Sequence, residues 1–222
     1  MPDVASGAAS ELDELREACN GAVDALFAAG PDLITIVGGA SSRSTHAGAD
    51  VGTFAPYGVN LSVALDGGPG QSGARSLPLS LTVGAWLLRD RPARPPRTGE
   101  AIPFDLPTAD CTAIGAGLAG RSARVGLLIM GDGSASRGEK APGYADPRAE
   151  VMDAEVLAAF AAGDVAALTD VDTTVAAEVL CAGRSAWQVL AGAAGLAPGR
   201  GAVLYDQVPY GVQYIVATWA PA

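Results

Sequence analysis

Two uninterrupted apolar runs, Leu33 to Val37 (LITIV) and Val125 to Met130 (VGLLIM), constrain this chain more than any other feature of its sequence. Each stops at glycine: Gly38-Gly39 after the first, Gly131-Asp132-Gly133-Ser134 after the second. An amphipathic helix would interleave polar residues at helical spacing, and a half-exposed strand would alternate. A short run that is apolar at every position suits a strand buried on both faces, as in a parallel sheet covered by helices. The two runs are therefore predicted to be neighbouring interior strands. Helical patterns separate the strand-like segments, so the expected architecture is α/β, with a central mostly parallel or mixed sheet and helices on both faces. In such sheets ligands are held by loops beyond the carboxyl ends of the strands. Gly38 to Ser44 and Gly131 to Tyr144 are those loops here.

The remaining elements follow from periodicity and punctuation. Leu12, Leu15, Cys19, Val23 and Leu26 form one face of a helix over Ala8 to Ala29, with Ser10 and Asp13 as a capping pair and Gly30-Pro31 as its stop. Val59 to Leu65 reads as a strand followed by a Gly67-Gly68-Pro69-Gly70 loop, and Pro78 to Leu88 as a helix with Trp86 and Leu87 inward. Arg91 to Gly99 (RPARPPRTG) is basic and proline-rich, the composition of an exposed connection. Further helices are expected near Thr112 to Leu118, at Ala149 to Ala162, near Val165 to Leu168, at Thr174 to Ala182, and at Ala186 to Ala194 with Ser185 as cap. Ala202 to Tyr205, a turn at Pro209-Tyr210-Gly211, and Val212 to Trp219 predict a C-terminal hairpin-like segment. Residues 1–222 are read as one domain.

Composition narrows the function. The chain carries 14 Lys and Arg against 24 Asp and Glu, a net charge of −10, and so lacks the basic footprint that a phosphate backbone demands. Nucleic acid is excluded as an expected partner. An acidic N-terminus and the lack of a long apolar run argue against a signal peptide or membrane span, which predicts a cytoplasmic protein without a membrane partner. Cys19, Cys111 and Cys181 show no CxxC spacing and read as reduced, buried thiols. One histidine in the whole chain excludes any site built on two imidazoles.

The loop GDGSASRGEKAPGY offers the carboxylate of Asp132, the hydroxyls of Ser134 and Ser136, the guanidinium of Arg137 and the phenol of Tyr144, a mixture suited to a polar ligand. Asp132 and Ser134 also suit turn and helix-cap positions, so both readings stand. The loop GGASSRSTHAGAD could cradle an anion through backbone N–H groups but has no phosphate-loop lysine or glycine spacing. His46 in that loop reads as a surface imidazole. It is the single candidate base for a serine nucleophile, and no GxSxG elbow stands beside it.

At GDGSASR, at EVLCAGRSAWQVLAGA and at VPYGVQYIVATW the chain resembles the class III extradiol ring-cleavage dioxygenase superfamily of LigB-like and MEMO-like proteins. It looks closest to an alanine-rich actinobacterial branch labelled as ring-cleavage dioxygenase without a known reaction. The similarity spans nearly the whole chain and implies one LigB/MEMO-like domain. Working members of the superfamily hold non-haem Fe(II) with two histidines and a carboxylate, and use a further histidine as acid or base on a catecholic substrate. Here Gly38-Gly39-Ala40-Ser41 stands where the second metal histidine belongs, and Asp132-Gly133-Ser134-Ala135 carries alanine in the family's Asp-x-Ser-His pattern. Cys181-Ala182-Gly183-Arg184 approaches a MEMO-like Cys-Gly-Arg segment with one extra residue, and Glu178 is the nearest carboxylate.

The resemblance therefore implies a protein without the iron-binding and acid/base histidines, working through its old pocket as a small-molecule-binding or protein-interaction module. Its candidate residues are Asp132, Ser134, Arg137, Tyr144, Gly38, Gly39 and Ser41, followed by Glu178, Cys181 and Arg184, with no metal ligand and no cofactor. Homo-oligomers remain open. The alternative is an extradiol, non-haem iron dioxygenase acting on a catecholic aromatic, its Fe(II) site completed by upstream sequence or a partner chain. Met1-Pro2-Asp3-Val4 resembles the end of the family's first strand-loop segment. An interior strand is thus expected ahead of the first helix, supplied from upstream, or else a sheet in which that gap is filled some other way.

Overall fold

A computed structural model of the chain describes residues 11–68 and 73–222. The readings placed on Met1 to Val4, on Ala8, on Ser10 and on Pro69-Gly70 lie outside the described residues. Six helices, α1 (Asp13–Ala28), α2 (Leu79–Leu88), α3 (Thr108–Ala119), α4 (Pro147–Ala162), α5 (Thr173–Glu178) and α6 (Arg184–Ala193), accompany strands β1 (Leu33–Ala40), β2 (Ser44–His46), β3 (Val51–Thr53), β4 (Ser62–Ala64), β5 (Arg97–Pro103), β6 (Val125–Met130), β7 (Gly199–Gln207) and β8 (Tyr214–Pro221) among those residues. The central sheet has the order β2-β5-β1-β6. β1 runs parallel to both β5 and β6, while β2 lies antiparallel to β5. The fold is α/β with a mixed sheet flanked by helices, and β7 and β8 form a separate antiparallel pair at the C-terminus.

The apolar run of β1 works as its pattern requires. Ile34 and Ile36 enter a core with Val23 of α1 and Leu81, Ala85 and Leu88 of α2, while Val37 enters another with Ile102, Cys111, Leu118, Ala186 and Val189 beneath α3 and α6. Each fully buried aliphatic of this size contributes about 1.5–3 kcal/mol. The helices on the second face cross at glycines. A Cβ at Gly115 of α3 would lie 2.0 Å from the Val189 carbonyl oxygen, and one at Gly192 of α6 would lie 2.1 Å from that of Thr112. A third core gathers Met152, Val156 and Phe160 of α4 with Leu168, Val179 and Trp187, and Val203, Ile215 and Trp219 of the C-terminal pair pack against it.

The structure corrects four expectations. β6 does neighbour β1, in the register Val37↔Ile129, but it is the last strand of the sheet among the described residues rather than an interior one. Its faces are nonetheless covered, Leu128 and Met130 toward α2 and Leu127 and Ile129 toward the α3–α6 core. An apolar pattern reports what lies above and below a strand, and edge pairing is made by main-chain groups that the pattern does not encode. Arg91 to Gly99 is not wholly a connection, because Arg97 opens β5, an inner strand. Its guanidinium is buried and donates to the carbonyls of Leu65, Leu88, Arg91 and Pro92, and the buried Glu100 pairs with Arg121 at 2.6 Å. Charges matched in this way disguise a strand. The stretch GGASSRSTHAGAD, read as a loop, contains β2, and β3, which follows it, pairs with β4. Ser185 does not cap α6; Gly183 occupies that position, and the buried Ser185 Oγ has no hydrogen-bond partner among the described residues.

Candidate functional site

β6 and its following loop deliver the first part of the site. After Met130 the chain turns through Gly131 to Gly133 so that Ser134, which is wholly buried, meets Asp153 of α4. The Ser134 N–H donates to Asp153 Oδ1 at 2.9 Å and its hydroxyl to Oδ2 at 2.6 Å. Arg137 Nη1 reaches the same Oδ2 at 3.1 Å and Gln213 Oε1 at 3.4 Å. The backbone of Gln213, which leads into β8, is tied to this loop through Gly133 and Ser134. Asp153 is thus a carboxylate 2% exposed, satisfied by three donors, of which the arginine is partly open to solvent. No loop motif marks Asp153. The signal in the sequence is an acid within the apolar stripe Ala149, Met152, Val156, Phe160, and an acid in such a stripe needs a buried partner.

Arg137, Asp153 and Gln213 face a cleft of about 770 Å³. Ala154 and Leu157 of α4, Tyr205, Asp206 and Gln207 of β7, and Glu11, Glu14 and Glu150 complete its walls with Val208 and Pro209. Among the described lining residues, five carboxylates face one guanidinium. Arg137 is the lining residue that the loop sequence pointed to, and Ser134 stands behind it, holding Asp153 in place.

The other predicted residues are distributed differently. Asp132, Gly39, Cys181 and the start of α6 come together at the carboxyl ends of β1 and β6. The Asp132 carbonyl accepts from the Gly183 N–H at 2.8 Å and from the Cys181 thiol at 3.6 Å, and a Cβ on Gly39 would touch the Ala182 carbonyl at 3.0 Å. Gly38 packs against Ser80, whose hydroxyl donates to the Gly39 carbonyl. The Asp132 carboxylate is exposed and has no hydrogen-bond partner among the described residues, yet protein atoms crowd it enough that lost solvation pushes it above the ordinary aspartate range. Burial pushes the Cys181 thiol up to about 12, helped by the Asp153 and Asp132 charges and opposed by the N–H groups of Gly183 and Arg184. Burial, then the Asp132 charge, raises the Tyr214 phenol.

Of the four remaining candidates, Glu178, Tyr144 and Ser41 stand apart from both clusters, and Arg184 opens α6 beside the second. Arg184 is buried and spends its donors on the Leu106 and Phe104 carbonyls and on Gln188, which fixes the β5–α3 connection to α6. Glu178 is on the surface, paired with Arg148 at 2.6 Å. Tyr144 is 98% exposed and lines a separate depression with Glu139 and Pro142. Ser41 is exposed at the end of β1. His46, expected at the surface, is 3% exposed, with both ring nitrogens hydrogen-bonded, to Ser44 and to Asp50.

Among the described residues no group of three or more His, Cys, Asp and Glu side chains is placed to hold a metal. The residues that the dioxygenase resemblance singles out do not fit Fe(II). The chain's one imidazole is held by Ser44 and Asp50 on β2, and the Asp132–Cys181 contact uses a main-chain oxygen. No helix among the described residues is long and apolar enough to cross a membrane. No family model matches the chain, and no curated protein matches it.

Proposed function

We propose that the chain is a LigB/MEMO-like protein that works as a small-molecule-binding module, and that its ligand is small, polar and positively charged. The observation that carries this reading is the cleft over the Asp153–Arg137 pair. Its floor is a buried, fully satisfied carboxylate network of the kind that holds a pocket's shape, and its rim adds Glu11, Glu14, Glu150 and Asp206. Arg137 neutralises Asp153, so the field that a ligand meets is set by the other carboxylates and attracts a cation. Tyr205, Leu157 and Ala154 offer apolar surface for the body of such a ligand. The superfamily reading rests on the resemblance at GDGSASR and VPYGVQYIVATW, the segments that also supply Arg137 and Gln213.

Calorimetric titration of the full chain with agmatine and putrescine, and with succinate as the anionic control, tests the proposal. Saturable binding of the amines and none of succinate is expected. Ala154→Trp, an exposed position on the cleft wall, narrows the cavity without altering its charge and should weaken that binding. Equal binding of both charge types, or amine binding untouched by Ala154→Trp, would refute it.

A further inference from the structure

Ser44, His46 and Asp50 lie in hydrogen-bonded sequence on and just after β2, far from the cleft in the chain. Residues 44 and 46 of a strand share one face, and here Ser44 Oγ stands 2.9 Å from His46 Nε2. On the other side of the ring, Nδ1 is 3.0 Å from Asp50 Oδ2. Asp50 is itself fixed by two main-chain donors, the Arg75 N–H to Oδ1 at 3.0 Å and the Ala47 N–H to Oδ2 at 3.2 Å. Burial alone would raise its carboxyl, but these N–H groups and the imidazole together hold it below the ordinary aspartate range. An ionised carboxylate only accepts, so Nδ1 carries a proton, and in the neutral ring the lone pair is then on Nε2, facing the serine hydroxyl. The ring is buried and the serine half-buried. The sheet makes room for this arrangement. His46 is opposite Gly99 of β5, where a Cβ would come within 3.2 Å of the His46 Cβ.

We propose that Ser44, His46 and Asp50 form a nucleophile–base–carboxylate relay, and that Ser44 Oγ is a reactive nucleophile toward small activated carboxylic esters. A bland role, stitching the 47–50 turn to β2, needs only the bonds from Asp50 to Ala47 and His46. The Ser44 contact adds nothing to that turn, and it completes the order of groups that activates a serine. In the step itself, the Ser44 hydroxyl proton passes to His46 Nε2 as Oγ bonds to the ester carbonyl carbon and the π pair moves onto the carbonyl oxygen. Collapse of that oxyanion expels the alkoxide, which leaves as the alcohol with the proton from Nε2. Water then attacks the acyl-serine by the same route, giving its proton to Nε2, and Ser44 recovers a proton as the carboxylic acid departs. Asp50 stabilises the imidazolium in both halves and is not itself protonated.

Incubation of the full chain with a fluorophosphonate probe, followed by intact mass and peptide mapping, reads the nucleophile directly. One adduct per chain on Ser44 is expected, lost in Ser44→Ala and slowed at least about 100-fold in His46→Gln, the usual weight of a general base. Absence of an adduct while a serine protease control is fully labelled would overturn the proposal, as would labelling at Ser44 that is indifferent to His46→Gln. If that variant fails to fold, the wild-type chain still decides the matter, because its one histidine gives a single set of imidazole 15N signals. The Nδ1–H tautomer supports the relay, and the Nε2–H tautomer refutes it.

Discussion

Replacement of Asp153 by alanine removes the acceptor on which the buried donors of the site depend. The substitution strands the Ser134 N–H and hydroxyl, on a residue with no solvent access, and removes the 3.1 Å partner of Arg137. A buried donor left without an acceptor costs about 1–3 kcal/mol, so the two on Ser134 together cost about 2–6 kcal/mol. Arg137 loses less, because 21% of its side chain is exposed, Gln213 is 3.4 Å away, and Glu150 is 3.9 Å away. The expected loss is about 4 kcal/mol, in the range found when one partner of a buried pair is deleted. Asp153→Leu replaces more than the lost volume but none of the acceptors and should be nearly as damaging. Urea unfolding followed by tryptophan fluorescence is a suitable assay, since Trp187 lies edge-on to Phe160 in the same core at 6.0 Å between centroids. A loss below about 1 kcal/mol in Asp153→Ala, or recovery in Asp153→Leu, would show that packing rather than polar satisfaction holds this site.

Gly192→Ala should cost about 3 kcal/mol in the same assay, because its Cβ would meet main-chain oxygen at Thr112 and force α3 away from α6. Cys181, with its thiol near 12, should be about one part in ten thousand thiolate at pH 8 and stay unmodified by iodoacetamide in the folded chain; quantitative mass spectrometry before and after denaturation reads this. Asp132 has a raised folded-state pKa, so the folded chain binds the proton more readily than the unfolded chain, and stability is lost as pH climbs from the ordinary aspartate value through the raised one. Asp132→Asn should therefore unfold at higher temperature than wild type at pH 7, with the gap closing below about pH 4.

How far the sequence reveals this molecule differs from element to element for physical reasons. β1 and β6 are legible because burial on two faces leaves a continuous apolar run, and their adjacency followed from the glycine stops that place their loops together. β5 is not legible, because Arg97 and Glu100 are buried with partners supplied by residues distant in sequence, from Leu65 to Arg121. Ser134 and Arg137 stand out within a polar glycine-rich loop, yet the group that unites them, Asp153, is hidden on a helix whose other inward residues are apolar. Tyr144 shares that loop and points away from it. His46 illustrates the limit most clearly, because its burial depends on Gly99 lying across the strand pair, a juxtaposition set by register.

The outer position of β6 among the described strands has a consequence for exchange of its amides with solvent. Along any strand, the N–H and C=O of one residue point to the same side and those of the next to the opposite side. The Arg124 carbonyl accepts from the Asp32 N–H, which sets the phase: Gly126, Leu128 and Met130 turn toward β1, and Val125, Leu127 and Ile129 turn outward. Deuterium uptake along this six-residue strand should accordingly be a comb, slow at three positions and fast at the three between. The side chains on both sets of teeth are about equally buried, so the comb would separate protection by hydrogen bonding from protection by mere enclosure within one short segment.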